Sequence, residues 1–165
     1  MRSWRSESPS SRGAEDGQHL RQGAASPLTE PMSQENVEIV RRTIDSINSR
    51  DLDRAIEAAH EDFEADWSNS VAPHGGVYRG REQARGLIAA FLEAWDEFHW
   101  DPQEIIEVDQ ARVVVVNRVR GRGRGSGVNV DATGAQLWTI TGGKVRSVKL
   151  YQSKTDALEA VGLSE

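Results

Sequence analysis

Residues 113–152 read VVVVNRVRGRGRGSGVNVDATGAQLWTITGGKVRSVKLYQ. Val113–Arg120 is dense in β-branched side chains, which suit a pleated, half-buried strand. Val128–Ile140 reads as the next strand. Gly142-Gly143, between Ile140-Thr141 and Lys144-Val145, forms a two-residue hairpin turn. Val145–Gln152 is the last strand of the series. Working back from this run, a further strand lies within Phe98–Val108, and Asp109-Gln110 makes the tight turn after it. Phe63–Trp67 alternates as one more strand, followed by a loop through Asn69, Pro73, Gly75 and Gly76.

The rest of the chain is helical in pattern. Val37, Val40, Ile44 and Ile47 form one apolar stripe at helical spacing, with Ser33 as the expected N-cap and Glu35 in the first turn. Asp51 caps a second, short helix carrying Leu52, Ala55, Ile56 and Ala59. A third helix begins near Gly80, with Leu87, Ile88, Phe91 and Trp95 on one face. Ser153 and Asp156 make a capping box for a short final helix that ends at Gly162. Helices ahead of a long antiparallel run predict an α+β domain, a curved sheet wrapped over three N-terminal helices with a cavity at its concave face.

Composition narrows the classes. The chain has 165 residues, 28% charged, with a formal net charge of −6, so no global attraction pulls it to nucleic acid or anionic membrane. No apolar run reaches the roughly 18 residues that span a bilayer. The N-terminal MRSWRSESPSSRGAEDG lacks the apolar segment of a signal peptide, and the expected location is cytoplasmic. Cysteine is absent, which removes disulfides, thiolate metal sites and cysteine nucleophiles. Residues 1–31 carry few aliphatic residues and no periodicity, and read as a disordered tail ahead of a domain over 32–165. Met32 opens MSQENVEIVRR, and the expectation is that translation starts there. An intact mass of the native protein that matches the full chain would reject that start.

Three strings carry a family resemblance: NSRDLDRAIEAAHEDFEADW (48–67), VYRGREQARGLIAAFLEAW (77–95) and AQLWTITGGKVRSVKLYQSKTDALEAVGL (135–163). They resemble the NTF2-like superfamily, and its SnoaL-like, polyketide cyclase-like branch in particular, over about residues 33–163. The resemblance implies a cone with a pocket at its wide end, and a homodimer paired through the outer sheet face. Related proteins include polyketide cyclases, steroid isomerases, dehydratases, epoxide hydrolases and non-catalytic binding modules, so the fold does not decide the function.

The ketosteroid isomerase branch needs a carboxylate base near the end of the first strand, a tyrosine on the first helix and a protonated acid on a late strand. Here those places fall to Trp67, Thr43 and Gln136, and none matches. Asp66 is adjacent to the base position but points to the opposite face of its strand; its readings are a catalytic carboxylate or a capping one. Strand alternation puts Val113, Val115, Asn117 and Val119 on the pocket face, and Val114, Val116, Arg118 and Arg120 outside. Gln136 shares a face with Trp138 and Ile140. Trp67, Tyr78, Asn117, Gln136 and Trp138 then make an aromatic cup with fixed amides, suited to a flat, neutral, mostly apolar ring-containing ligand. The alternative is a structural or interaction module whose cavity is filled by its own aromatics.

His99, beside Trp100 and Asp101, is the acid–base candidate for a cofactor-free cyclase, isomerase or dehydratase; the alternative is a surface histidine at a strand edge. His60 abuts Glu61 and Asp62 at a helix end, and His74 lies in a glycine-rich loop. No metal-ligand spacing appears, and neither metal nor cofactor is expected. Arg118, Arg120, Arg122 and Arg124 alternate with valine and glycine. They are read as an outer-face row paired to acids, in preference to phosphate contact, because no aromatic residues interleave to stack bases.

Overall fold

The computed structural model describes residues 29–70 and 74–164; residues 1–28, most of the expected disordered tail, lie outside them. Helix α1 spans Thr29–Asn48 and begins ahead of the expected Ser33 cap. Pro31 falls in its first turn, where a missing backbone N–H leaves no hydrogen bond unmade. The helix buries Ile39, Val40, Ile44 and Ile47 against the sheet. Helix α2 is Leu52–Glu57, capped by the Asp51 carboxylate, which accepts from the Arg54 N–H at 3.2 Å. Strand β1 (Ala59–Asp66) starts earlier than the alternation suggested and takes His60 out of any helix end. Strand β2 (Val77–Arg79) is short, and helix α3 is Gly80–Glu93.

Four strands follow: β3 (Trp95–Glu107), β4 (Arg112–Gly123), β5 (Asn129–Thr141) and β6 (Lys144–Tyr151), then helix α4 (Lys154–Ala160). They form one six-stranded sheet in the order β2-β1-β6-β5-β4-β3. It is an α+β fold with a curved, mainly antiparallel sheet, as expected; β1 alone lies parallel to its neighbour β6. The β5–β6 connection is the predicted Gly142-Gly143 turn, with φ of 58° and 78°, values that exclude most other residues. Ser153 caps α4 by accepting from the Asp156 N–H at 3.1 Å.

The sheet has two covered regions. Its concave face packs Val113, Val115, Trp138, Ile140 and Val145 on α1, α2 and α3. Part of its outer face, around Val114 and Ala135, is covered by Ala157 and Leu158 of α4. Side-chain amides and guanidiniums fasten the helices to strand backbone. Asn36 donates to the Gln110 carbonyl at 2.7 Å, Arg81 donates twice to the Ala59 carbonyl, and Arg50 donates to the Leu92 carbonyl that ends α3. Asn48 exchanges a pair of hydrogen bonds with the Trp100 backbone, at 2.8 and 2.9 Å. These pairings satisfy backbone groups that the sheet and helix ladders leave open.

The β3–β4 turn is organised by Asp109. Its carboxylate accepts from the Ala111 and Arg112 N–H groups at 2.9 and 2.8 Å and from the Arg112 guanidinium at 2.8 Å. Partial burial pushes this carboxyl up, but the bonds from Ala111 and Arg112 outweigh it, and the group sits below its ordinary value. A depressed folded-state value contributes stability that is present above about pH 4 and lost as pH falls through the folded value. We therefore expect Asp109→Asn to lower the urea midpoint at pH 7, and the gap to the parent protein to close as pH is taken below about 4.

Candidate functional site

The concave face is built on aromatic rings. Trp67, Phe91, Trp95, Phe98 and Trp100 form one contiguous cluster with centroid separations of 4.8–5.9 Å. Most contacts are edge-on or tilted; Phe91 and Trp100 lie parallel, at 6°. Phe98 and Trp100 share a face by strand alternation. Trp95 joins them because the β3–β4 register shifts between Trp95 and Glu97, and a bulge resets which face a side chain takes. Gly121 makes room for it: a Cβ there would stand 2.8 Å from the Trp95 ring.

Opposite the rings lies an interior amide network. The Gln136 Oε1 accepts from the Trp138 indole Nε1 at 2.9 Å and from the Asn117 Nδ2 at 3.1 Å. Indole N–H only donates, so it fixes which end of the Gln136 amide is oxygen. That in turn fixes Asn117, whose Oδ1 is left buried without a partner. The Trp95 Nε1 is the other buried side-chain polar atom without a partner among the described residues. Asn117 and Gln136 are only 2% and 7% exposed, and buried polar groups are as a rule paired.

Between the rings and the amides is a cavity of about 290 Å³ bordered by Trp67, Trp95, Trp100, Asn117, Gln136 and Tyr151, among others. Both unpartnered atoms belong to residues of this wall. Adjoining it is a smaller space of about 60 Å³, lined almost wholly by apolar side chains. Trp67, Trp100 and Gln136 border both spaces.

A SnoaL-like domain model matches residues 40–148. The chain belongs to the SnoaL-like family. Solved structures share the fold of this SnoaL-like domain. TerC co-crystallised with polyporic acid is 19% identical with a TM-score of 0.64, covering 77% of this chain and 98% of its own. An NTF2-like protein from Burkholderia xenovorans LB400 is 24% identical with a TM-score of 0.62, covering 72% and 89%. A protein of ketosteroid isomerase-like fold from Catenulispora acidiphila DSM 44928, in complex with trimethylamine, is 19% identical with a TM-score of 0.63, covering 76% and 93%. At these identities the likeness is one of fold. No curated protein sequence matches the chain.

Within the SnoaL-like domain, Trp67, Asn117, Gln136 and Trp138 come together at the two spaces. Tyr78 does not reach them: its hydroxyl donates to the His74 carbonyl at 3.0 Å, outside both linings. Asp66 turns away from Trp67 and accepts from the Ser68 hydroxyl and N–H at 2.6 and 3.0 Å, with Lys149 3.7 Å off. Burial raises its carboxyl, yet Ser68 and Lys149 hold it below the ordinary value, the reverse of what a general base needs at neutral pH. His99 sits between the inward Phe98 and Trp100, paired with Arg120, and is exposed outside the cavity. Strand alternation turns it outward, away from the cavity in which an acid–base group would have to act.

The arginine row forms an outer-face ladder. Arg118 pairs with Asp131, Arg120 with Asp101, Arg122 with Glu97 and Arg124 with Asp96, at 2.6–3.6 Å. The bond to Arg118 holds Asp131 below its ordinary value, and Asp131 raises Arg118. An open depression of about 650 Å³ beside His99 is lined in part by these charges, which already pair with one another. Trp95, Phe98 and Trp100 were not foreseen as cavity wall. The spacing of 98 and 100 carried a signal, whereas Trp95 needed the bulge.

We expect Gln136→Leu to leave the Trp138 indole and the Asn117 amide without an acceptor and to cost about 2–4 kcal/mol. A urea unfolding curve of the variant checks this.

Proposed function

We propose that this SnoaL-like domain binds a small, neutral, mostly apolar, ring-containing molecule bearing a hydrogen-bond acceptor such as a carbonyl. The observation that carries the reading is the lining of the 290 Å³ cavity: stacked and edge-on aromatics on one side, a fixed amide on the other. Among its described lining residues there is no carboxylate, imidazole, ammonium or guanidinium. A charged ligand would lose its hydration there without a counter-charge, and proton abstraction would lack a base within reach. With its Oε1 taken up by Trp138 and Asn117, the Gln136 amide offers its Nε2 to the ligand's acceptor. The size, near the lower end of the roughly 300–1,000 Å³ of ligand pockets, favours two or three fused rings. Two structural neighbours were crystallised with polyporic acid and with trimethylamine, which supports a small-molecule role for this fold.

Two copies are proposed to pair through the outer sheet face, where the balanced charges of the ladder leave little net repulsion. Sedimentation velocity returning a monomer mass at tens of micromolar would reject that pairing.

Calorimetric titration with acetonaphthone and with ethylnaphthalene, which lacks the carbonyl, tests the ligand reading. The ketone is expected to bind about tenfold more tightly, the worth of one buried hydrogen bond. His99→Ala should leave both affinities unchanged. No heat and no tryptophan fluorescence response across a wider panel of fused-ring compounds would favour a structural module instead.

A further inference from the structure

We infer that the 60 Å³ void is an inner chamber of the same site and selects a short alkyl group attached beside the ligand's carbonyl. This rests on the ligand-binding reading above.

Three small side chains stand among the large ones that line the void. Ala55 of α2 and Ala59 and Ala65 of β1 line it together with Ile44, Ile47 and Val148. All three alanines are buried, in positions where larger apolar residues would close the gap. Protein interiors are normally packed without voids of this kind. Water is an unsuitable filler. Each water in a protein interior needs two to four polar partners. Of the polar groups on the lining residues, the Thr43 hydroxyl already donates to the Ile39 carbonyl at 2.7 Å and the Trp138 indole to the Gln136 amide at 2.9 Å. Dry apolar cavities of protein interiors take up apolar guests.

The partition between the two spaces fixes how a guest would enter. Gln136 borders both, flanked by Trp67 and Trp100. A carbonyl accepting from the Gln136 Nε2 stands at this partition. Its ring system then lies in the outer cavity against the aromatic wall, and the substituent on the other side of the carbonyl points into the inner chamber. Aryl alkyl ketones, with alkyl groups of about one to three carbons, have this arrangement of parts.

A series of naphthaldehyde, acetonaphthone and naphthyl isopropyl ketone, titrated by calorimetry, separates the chambers. With the parent protein, affinity should rise by about fourfold for each carbon that enters the void. Ala65→Leu, which fills the chamber, should bind naphthaldehyde within about twofold of the parent and bind all three compounds alike. Val148→Ile is the milder filling, for use if Ala65→Leu fails to fold, and should roughly halve the increment on a logarithmic scale. Xenon gives a reading that does not depend on the ketones. It should shift the methyl resonances of Ile44, Ile47 and Val148 in the parent and not in the filled variant. A flat series in the parent, or an increment that survives filling, overturns the inner chamber while naphthaldehyde binding leaves the outer site standing. Absence of binding by every ketone, with no xenon shift, overturns both.

Discussion

The register of β4 against β5 is the constraint on which the interior depends. The two strands pair from Arg112↔Thr139 to Arg122↔Asn129 without a shift, while β3–β4, β5–β6 and β1–β6 each carry at least one. A slip by one residue would turn every side chain of a strand to the other face. Asn117 and Gln136 would then leave the interior, and the arginines would enter it. The burial of one face and the pairing of charges on the other oppose that slip from both sides. The valine run 113–116 contributes to both faces, which is why it could be continuous and not alternating.

Irregularity is concentrated at the edge of the sheet. Strand β3 is terminal in the order, and it holds Pro102, a residue that cannot complete a ladder on both sides. Its two register shifts, at Trp95/Glu97 and Pro102/Glu104, bring Trp95 and Ile105 inward. Edge strands carry such bulges at little cost because only one neighbour is disturbed. Helix α1 stabilises that strand from inside through the paired bonds of Asn48 with the Trp100 backbone. The aromatic wall of the cavity is thus held by an edge strand, a bulge and one asparagine.

Charge and cavity are kept apart. The four arginines of β4 and its turn meet acids on β3, β5 or the segment beside them, on the outer face. The inner face keeps amides and indoles, whose hydrogen bonds do not require a counter-charge. Exposed ion pairs of this kind add little to stability individually. Their consequence here is positional: they give β4 an outer face that is satisfied in water, leaving the neutral residues to the interior. Asp66 follows the same division, turned outward to Ser68 and Lys149.

Sequence pattern was enough for the order of the helices and longer strands, the Asp51 and Ser153 caps, the glycine turn and the inward face of β4, because each depends on local propensity or on a period of two; the three-residue β2 is too short to carry such a pattern. It also placed Trp67, Asn117, Gln136 and Trp138 within reach of one another, since strand alternation extends over neighbouring strands once they pair. It gave no sign of the parallel β1–β6 contact, which joins segments distant in the chain. The tertiary structure alone decided that Trp95 is a wall residue, that Tyr78 and His99 stand outside the cavity, and that Gln136 accepts from Trp138 and Asn117 together. Bulges, cross-strand distances and the volume left by three alanines depend on how elements pack, and no local pattern of residues encodes them.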